Sequence, residues 1–100
     1  MAVKLIMTWD ITHEREQEYF EFVVREFLPG VQRLGFELSD AWATVYGDQS
    51  QIQVGAVLPS APAARRMLKS NESQSLHNQL LDYVENYDHK LVEARGGFQF

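Results

Sequence analysis

Cysteine is absent from the 100-residue chain, which excludes disulfides, thiolate metal sites and a cysteine nucleophile. No apolar run approaches the ~20 residues that a membrane-spanning helix needs, and Met1–Met7 lacks the basic-then-apolar order of a signal peptide. Basic residues are few and scattered, and the formal net charge is −5, whereas nucleic-acid binding usually requires a basic face. We therefore expect a cytoplasmic protein that binds neither nucleic acid nor a membrane.

Recognisable catalytic and metal-binding motifs are also missing. The chain has no Gly-rich phosphate loop, no nucleophile elbow and no catalytic triad. The pair His13-Glu14 lacks the second histidine of the helical zinc motif, so we expect no metal site. What the chain does have is a hydrophobic fraction of 45%, which is enough for one packed domain spanning residues 1–100.

The order of hydrophobic periods is the most informative positive feature. Period-2 and 3.6-residue runs alternate as strand, helix, strand, strand, helix, strand. They lie at about Val3–Ile11, Glu14–Leu34, Phe36–Tyr46, Gln51–Leu58, Ala61–Asn86 and His89–Arg95. This βαββαβ order is the ferredoxin-like pattern, and it predicts an α+β fold in which an antiparallel four-stranded sheet carries two helices on one face.

The first helix should start at Thr12 as N-cap. It presents a core-facing stripe at steps of three and four, formed by Phe20, Val23, Val24, Phe27, Leu28 and Val31. Pro29 should kink or end the regular helix, and Gly35 is a plausible stop.

The second helix looks broken in two. Ser60 can cap its first part, and Asn71 can cap its second part after an interruption at Ser70-Asn71. The second part is predicted to carry one apolar face, formed by Leu76, Leu80, Tyr83, Val84 and Tyr87.

Strand alternation predicts which sheet face meets the helices. In the first strand the apolar set should face them: Val3, Leu5, Met7, Trp9 and Ile11. In the second strand the same side should carry Phe36, Leu38, Asp40, Trp42, Thr44 and Tyr46.

The opposite, open face is predicted to be small and mostly apolar. It should consist of Ile6, Thr8, Ala41, Ala43, Val45, Gly55, Val57, Val92 and Ala94. An exposed patch of this kind signals an interaction surface, so we expect a homodimer that pairs through this face. Gly96–Phe100, two glycines followed by two phenylalanines around a glutamine, suggests a tail that docks on an apolar surface.

A family resemblance follows from this order and from one local match. Leu68-Lys69-Ser70, followed seven residues later by His77, is similar to the stretch that ends in the proximal heme histidine of heme-degrading monooxygenases. The chain thus resembles the dimeric α/β-barrel superfamily, which includes antibiotic-biosynthesis-type and heme-degrading monooxygenases and NIPSNAP-like proteins. The heme-degrading members place an asparagine and a tryptophan where this chain has Met7 and Leu58, so we expect no efficient heme degradation.

The resemblance implies a pocket between the sheet and the helices. Its plausible ligand-binding residues are Met7, Trp9, Trp42, Thr44, Tyr46 and Tyr83, and the alternative for the aromatic ones is ordinary core packing. The catalytic candidates are His77, as a general base or a heme ligand, and Asp40, as a base if it is buried with a raised pKa. Their plain alternatives are a boundary histidine and a strand-end aspartate in solvent.

The sequence is compatible with three functions. The chain could be a cofactor-independent monooxygenase or oxidase whose apolar or aromatic small-molecule substrate reduces oxygen itself. It could bind heme through His77 without efficient degradation. It could also be a non-catalytic structural or interaction dimer whose own side chains fill the cavity.

Overall fold

The computed structural model describes the backbone of residues 2–46 and 49–93, and their side chains except at positions 45, 46, 49 and 50. The elements are β1 Val3–Ile11, α1 Glu16–Phe22, a π-helical segment Val23–Phe27, α2 Leu28–Arg33, β2 Glu37–Tyr46, β3 Gln49–Leu58, α3 Ala61–Lys69, α4 Asn71–Leu80 and β4 Val84–Glu93. One antiparallel sheet has the strand order β2-β3-β1-β4. The predicted ferredoxin-like α+β fold is therefore confirmed.

The central strand β1 alternates as its sequence predicts. All five of its odd-numbered residues from Val3 to Ile11 are buried against the helices, whereas the even-numbered ones are partly exposed. Leu5 lies opposite Ala56 of β3 and Leu91 of β4, so side chains from three strands meet in the core under the helical layer.

Among the described residues, no helix is both long and apolar enough to span a membrane.

The start of the first helix differs from the prediction. The residue before α1 is Arg15, whose backbone N–H donates to the Thr12 carbonyl at 3.1 Å. The Thr12 backbone N–H is itself bonded to the Tyr83 carbonyl at 2.9 Å. Because Thr12 is held against the start of β4, the chain makes one further turn before the helix begins, and the predicted Thr12 cap is wrong.

A wider helical turn changes which side chains reach the core. In the π-helical segment the Leu28 N–H donates to the carbonyl of Val23, five residues earlier. The buried residues of this helix accordingly include a step of five, running Tyr19, Phe22, Phe27, Val31. The predicted stripe is wrong at two positions, because Phe20 and Val24 are 53% and 66% exposed.

Pro29 does not end this helix. It stands at the start of α2, directly after the wider turn, and the helix continues to Arg33. Proline has no backbone N–H to donate to a preceding carbonyl. The π-helical segment before Pro29, in which the hydrogen bonds are already shifted to the fifth residue back, accommodates this loss. The predicted stop at Gly35 is confirmed: its φ is +97°, and the Phe36 N–H reaches back to the Val31 carbonyl at 3.1 Å, which is the Schellman arrangement.

A bulge in β2 reverses the predicted faces of most of that strand. The pairing of β2 with β3 shifts between Leu38 and Asp40, so that Ser39 is the extra residue. After the bulge, Ala41 and Ala43 lie opposite Val54 and Ile52, on the side of the helices. Asp40, Trp42 and Thr44, and the backbone position of Tyr46, lie on the open face instead, opposite Gly55, Gln53, Gln51 and Gln49.

The open face is consequently more polar than predicted. Ala41 and Ala43 leave it, and an aspartate, a tryptophan and a threonine take their place. The positions of Ile6, Thr8, Gly55, Val57 and Val92 on this face agree with the prediction. The side chain of Val45, the residue Ala94 and the tail Gly96–Phe100 lie outside the described residues.

The second helix is broken where expected. Ser60 accepts a hydrogen bond from the Ala63 N–H, as predicted, but Ser70 rather than Asn71 caps α4, by accepting from the Ser73 N–H. The helix ends at Leu80 and β4 begins at Val84. The predicted helix through Asn86 is therefore too long, because its aromatic and β-branched residues also fit a strand period.

Candidate functional site

A cavity of about 150 Å³ lies between the sheet and the helices. We call it the sheet–helix cavity. Its lining comprises Leu5, Met7, Phe27, Val31, Phe36, Leu68, Ser73, Gln74, Leu76, His77, Leu80, Tyr87 and His89. Most of this lining is apolar, so any polar group of a bound molecule would have to meet the few polar side chains of α4 and β4.

Three aromatic side chains carry the titratable groups of this cavity, whose polar lining also includes Ser73 and Gln74. His77 projects from α4, whereas Tyr87 and His89 lie two residues apart on β4 and so point to the same side of the sheet. The ring centroids of His77 and Tyr87 are 4.6 Å apart at an interplanar angle of 73°. Those of Tyr87 and His89 are 5.6 Å apart. We call these three residues the His–Tyr–His cluster.

The protonation states in this cluster follow from burial. Desolvation, followed by the nearby His89, lowers the pKa of the His77 imidazole below its ordinary value of 6.5. Desolvation, followed by the negative charge of Asp88, raises the pKa of Tyr87 to about 12. At neutral pH the cluster therefore offers a neutral imidazole that can accept a proton, next to a protonated phenol that can donate a hydrogen bond.

A second, larger hollow of about 480 Å³ opens between the first helix and strand β2. We call it the β2 groove. It is lined by Trp9, Tyr19, Phe20, Val23, Phe27, Leu28, Leu38, Ser39, Asp40, Ala41, Trp42, Ala43, Ile52 and Val54. The Trp9 Nε1–H donates to the Tyr19 hydroxyl at 2.9 Å, which satisfies a donor that is otherwise buried. Within the described residues, Phe27 is the one side chain that lines both hollows.

Asp40 belongs to a polar cluster on the open sheet face. Its carboxylate receives the Lys4 ammonium at 2.8 Å, the Ser39 hydroxyl at 2.6 Å and the Trp42 Nε1–H at 3.1 Å. The hydrogen bonds from Lys4 and then Ser39 lower the pKa of this carboxyl. The raised pKa considered from the sequence is therefore wrong, because the bulge at Ser39 moves Asp40 out of the core and beside a cation.

The candidate residues predicted from the sequence are distributed over several places. Met7 and His77 line the sheet–helix cavity, and Trp9 lines the β2 groove. Trp42 reaches the rim of that groove from the open face, where it is 60% exposed, and Thr44 is exposed on the same face. These two do not join His77 in one pocket.

Two further candidates lie elsewhere. Tyr83 stacks on Phe22 with ring centroids 5.2 Å apart and receives the Arg15 guanidinium over its face at 4.9 Å. It is not among the residues that line the sheet–helix cavity. The side chain of Tyr46 lies outside the described residues.

The sequence prediction left Tyr87 and His89 out of the set of ligand-binding residues. It placed Tyr87 on the apolar face of the second helix and His89 at the start of the last strand. The alternation Tyr87, His89, Leu91 on β4 was the signal that could have found them, since a period of two places all three on one face. Among the described residues, no group of three or more histidine, cysteine, aspartate or glutamate side chains could hold a metal ion.

Comparison with solved structures finds several proteins of the same shape. A NIPSNAP family protein from Agrobacterium tumefaciens has a TM-score of 0.71 at 16% identity, over 96% of this chain and 95% of that one. An uncharacterized NIPSNAP domain protein from Burkholderia xenovorans has a TM-score of 0.70 at 15% identity, over 100% of both chains. SnoaB, a cofactor-independent oxygenase from Streptomyces nogalater, has a TM-score of 0.64 at 18% identity, over 96% and 95%.

These matches show the fold. The chain therefore shares the fold of NIPSNAP family proteins and of SnoaB, as the resemblance implied. No family model matches the chain, and no curated protein matches it.

Proposed function

We propose that the protein binds a small electron-rich phenol in the sheet–helix cavity and promotes its reaction with molecular oxygen without a cofactor. The observation that carries this proposal is the His–Tyr–His cluster on one side of a mostly apolar cavity. Apolar walls exclude water and orient an aromatic ring, while one base and one hydrogen-bond donor are available for its hydroxyl group. SnoaB, which shares the fold, is itself a cofactor-independent oxygenase.

The volume of the cavity selects the size of the substrate. An apolar protein cavity of about 150 Å³ accommodates benzene, and this cavity has about the same volume. A substrate with one aromatic ring, such as a hydroquinone, therefore fits it. Drug-sized ligands occupy cavities of roughly 300–1,000 Å³, so the cavity is small for anything larger.

The proposed chemistry begins with proton removal. Neutral His77 accepts the proton of a phenolic hydroxyl, and the resulting phenolate transfers one electron to O₂. The superoxide and ring radical combine through a new C–O bond, and His77 returns its proton to the resulting peroxide anion, which gives a ring hydroperoxide. The neutral His77 then accepts, as a proton, the ring hydrogen on the carbon that carries the hydroperoxide. As that C–H bond breaks, a carbonyl forms, the O–O bond breaks and hydroxide leaves, and His77 passes the proton to the hydroxide to give water. Hydroquinone plus O₂ thus gives hydroxybenzoquinone plus water, with one oxygen atom in each product.

Tyr87 has a separate role in this scheme. With its pKa near 12, it remains protonated at neutral pH and can donate a hydrogen bond to the developing phenolate or hydroperoxide oxygen. Phe27, Val31 and Leu76 surround the ring with apolar surface. Stabilising the anion in this way favours electron transfer to O₂ over return of the proton.

The test uses hydroquinone with ¹⁸O₂ and compares the wild type with His77→Gln. We expect the wild type to form singly labelled hydroxybenzoquinone and labelled water, whereas uncatalysed oxidation gives unlabelled benzoquinone and hydrogen peroxide. His77→Gln should reduce the labelled product about 10²-fold or more, as loss of a general base typically does. His13→Gln is the matched control, because His13 is an exposed histidine on the surface. Equal labelled product in all three proteins, or none in any, would refute the proposal.

Heme binding through His77 is the alternative function, because His77 lines the sheet–helix cavity. The residues present do not fit a porphyrin. The cavity has the volume of a single ring, and the imidazole packs edge-on against Tyr87 at 4.6 Å. A hemin titration of the wild type and of His77→Ala tests this alternative, which requires a saturable Soret shift that the variant loses.

We further propose that two copies pair through their open sheet faces. Ile6, Val57 and Val92 supply partly buried apolar surface there, and the Lys4–Asp40 ion pair neutralises two of its charges internally. Ile6→Arg should convert a dimer to a monomer in sedimentation equilibrium, whereas a substitution such as Gln17→Arg on the exposed face of α1 should not. A monomeric wild type would refute the pairing. A dimer that lacks any hydroquinone turnover would favour a purely structural role.

A further inference from the structure

The two hollows beside the sheet are separated by one aromatic wall. Phe27 lines both the sheet–helix cavity and the β2 groove. Its ring meets Trp9 edge-to-face, with centroids 5.9 Å apart at an angle of 83°. Trp9 lines the groove on one side of this wall, and Tyr87, whose ring is nearly parallel to Trp9 at 6.1 Å, lines the cavity on the other side.

Within this wall, a hydrogen bond fixes Trp9 but not Phe27. Trp9 is 1% exposed, donates its Nε1–H to Tyr19 and stacks along Tyr87. Moving its indole would break a buried hydrogen bond, which is costly. Phe27 is held by packing alone and ends the π-helical segment, a type of turn that is frequent at functional sites. The side chain of Phe27 is therefore the part of the wall that a substitution can remove without leaving a buried polar group unpaired.

We infer that Phe27 is the specificity residue that limits the protein to single-ring ligands by closing the sheet–helix cavity against the β2 groove. This inference rests on the proposed function. A smaller residue at position 27 joins the two hollows, and a phenol with a second fused ring then extends from the His–Tyr–His cluster into the groove. The groove suits this second ring because aromatic and aliphatic side chains line most of it.

The experiment measures binding of phenol and 1-naphthol by isothermal titration calorimetry. The proteins are the wild type, Phe27→Leu, Phe27→Ala and the matched control Phe22→Leu. Phe22 is also buried and packs against Phe27 at 6.1 Å, but it lines neither hollow. Phe22→Leu therefore removes the same volume from the same part of the core.

We expect the wild type to prefer phenol and Phe27→Leu to shift the ratio of the two dissociation constants toward 1-naphthol by about tenfold or more. Phe27→Ala should shift it further if that variant folds, which circular dichroism establishes, and Phe27→Leu carries the test if it does not. Phe22→Leu should leave the ratio unchanged. An equal shift in Phe22→Leu, or an unchanged ratio in both Phe27 variants, would overturn the inference.

The outcomes separate this inference from the proposed function. Calorimetry needs no turnover, so a shifted ratio together with absent ¹⁸O incorporation supports the role of Phe27 and refutes the oxygenase. Labelled hydroxybenzoquinone together with an unchanged ratio supports the oxygenase and refutes the role of Phe27. If no variant binds either phenol, both proposals are wrong.

Discussion

Gly55 provides the sharpest test of the open-face geometry. It lies on β3 opposite Asp40, and the side chains of Lys4 and Asp40 cross directly above it. A Cβ atom added at position 55 would overlap the Asp40 carboxylate and would lie 2.5 Å from the Lys4 Cε. Gly55→Ala must therefore push apart an ion pair whose atoms are 2.8 Å apart.

The expected effect is the balance of two terms. Replacing a glycine within a strand by alanine should by itself stabilise the fold by about 0.5–1 kcal/mol. Displacing Asp40 weakens its ion pair with Lys4, worth about 0.2–1 kcal/mol for a partly exposed pair, and its hydrogen bonds from Ser39 and Trp42, worth about 1 kcal/mol each. We expect Gly55→Ala to destabilise the protein by a net ~1–2 kcal/mol, which corresponds to a Tm lower by about 4–16 °C for a chain of this length.

A double-mutant cycle with Asp40→Ala isolates the overlap. Removing the carboxylate also releases the Lys4 side chain from its ion pair, so that both groups that crowd position 55 give way to the methyl group. In that background Gly55→Ala should therefore stabilise the protein by about 0.5–1 kcal/mol. Urea unfolding, measured at several protein concentrations because dimerisation would add to stability, gives the four free energies. Stabilisation by Gly55→Ala in the wild-type background, or an additive cycle, would refute the placement of Asp40 above Gly55.

Three further predictions concern the His–Tyr–His cluster, the core and the cap of α4. Folding lowers the pKa of His77, so as the pH falls below about 6.5 the unfolded chain binds a proton at this imidazole before the folded protein does. The Tm of the wild type should therefore fall from pH 7 to pH 5, and the Tm of His77→Gln should fall less. An identical dependence of Tm on pH in both proteins would contradict the desolvated environment of His77. Tyr19→Phe removes the acceptor of the buried Trp9 Nε1–H and should cost about 1–3 kcal/mol in urea unfolding; no loss would mean that Trp9 has another partner. Ser70→Ala removes the cap of α4 and a hydrogen bond to the Met67 carbonyl at 2.7 Å. It should therefore lower the free energy of unfolding by about 1–2 kcal/mol. A loss below about 0.3 kcal/mol in chemical denaturation would contradict the capping role of Ser70.

Most of the fold could be predicted because its strands and helices differ strongly in period. β1 was predicted with its correct bounds and faces, since it alternates over its full length. The break at Ser70 was predictable because short polar side chains favour caps over helix interiors. The fold needs no unusual backbone at these places, so local preference and packing agree.

Two of the errors arose where one extra residue shifts the period of the pattern. The π-helical segment puts a step of five between the buried residues Phe22 and Phe27, which a helical pattern with steps of three and four does not predict. The bulge at Ser39 likewise interrupts the alternation by which the faces of a strand are predicted. Both positions have ordinary residues, so composition does not mark them. The candidate site suffered from the second error, because Trp42 was placed with His77 on a face that it does not share.

The bulge at Ser39 also has a consequence for sequence alignment. A related chain with a regular strand here would have one residue fewer between Leu38 and the hairpin. Aligned without a gap, such a chain would match the outward Trp42 of this protein with its own inward residue, and every later position of the strand would be compared with the wrong environment. An alignment with proteins of this fold should therefore open a single-residue gap at Ser39 before any conserved position on β2 is interpreted.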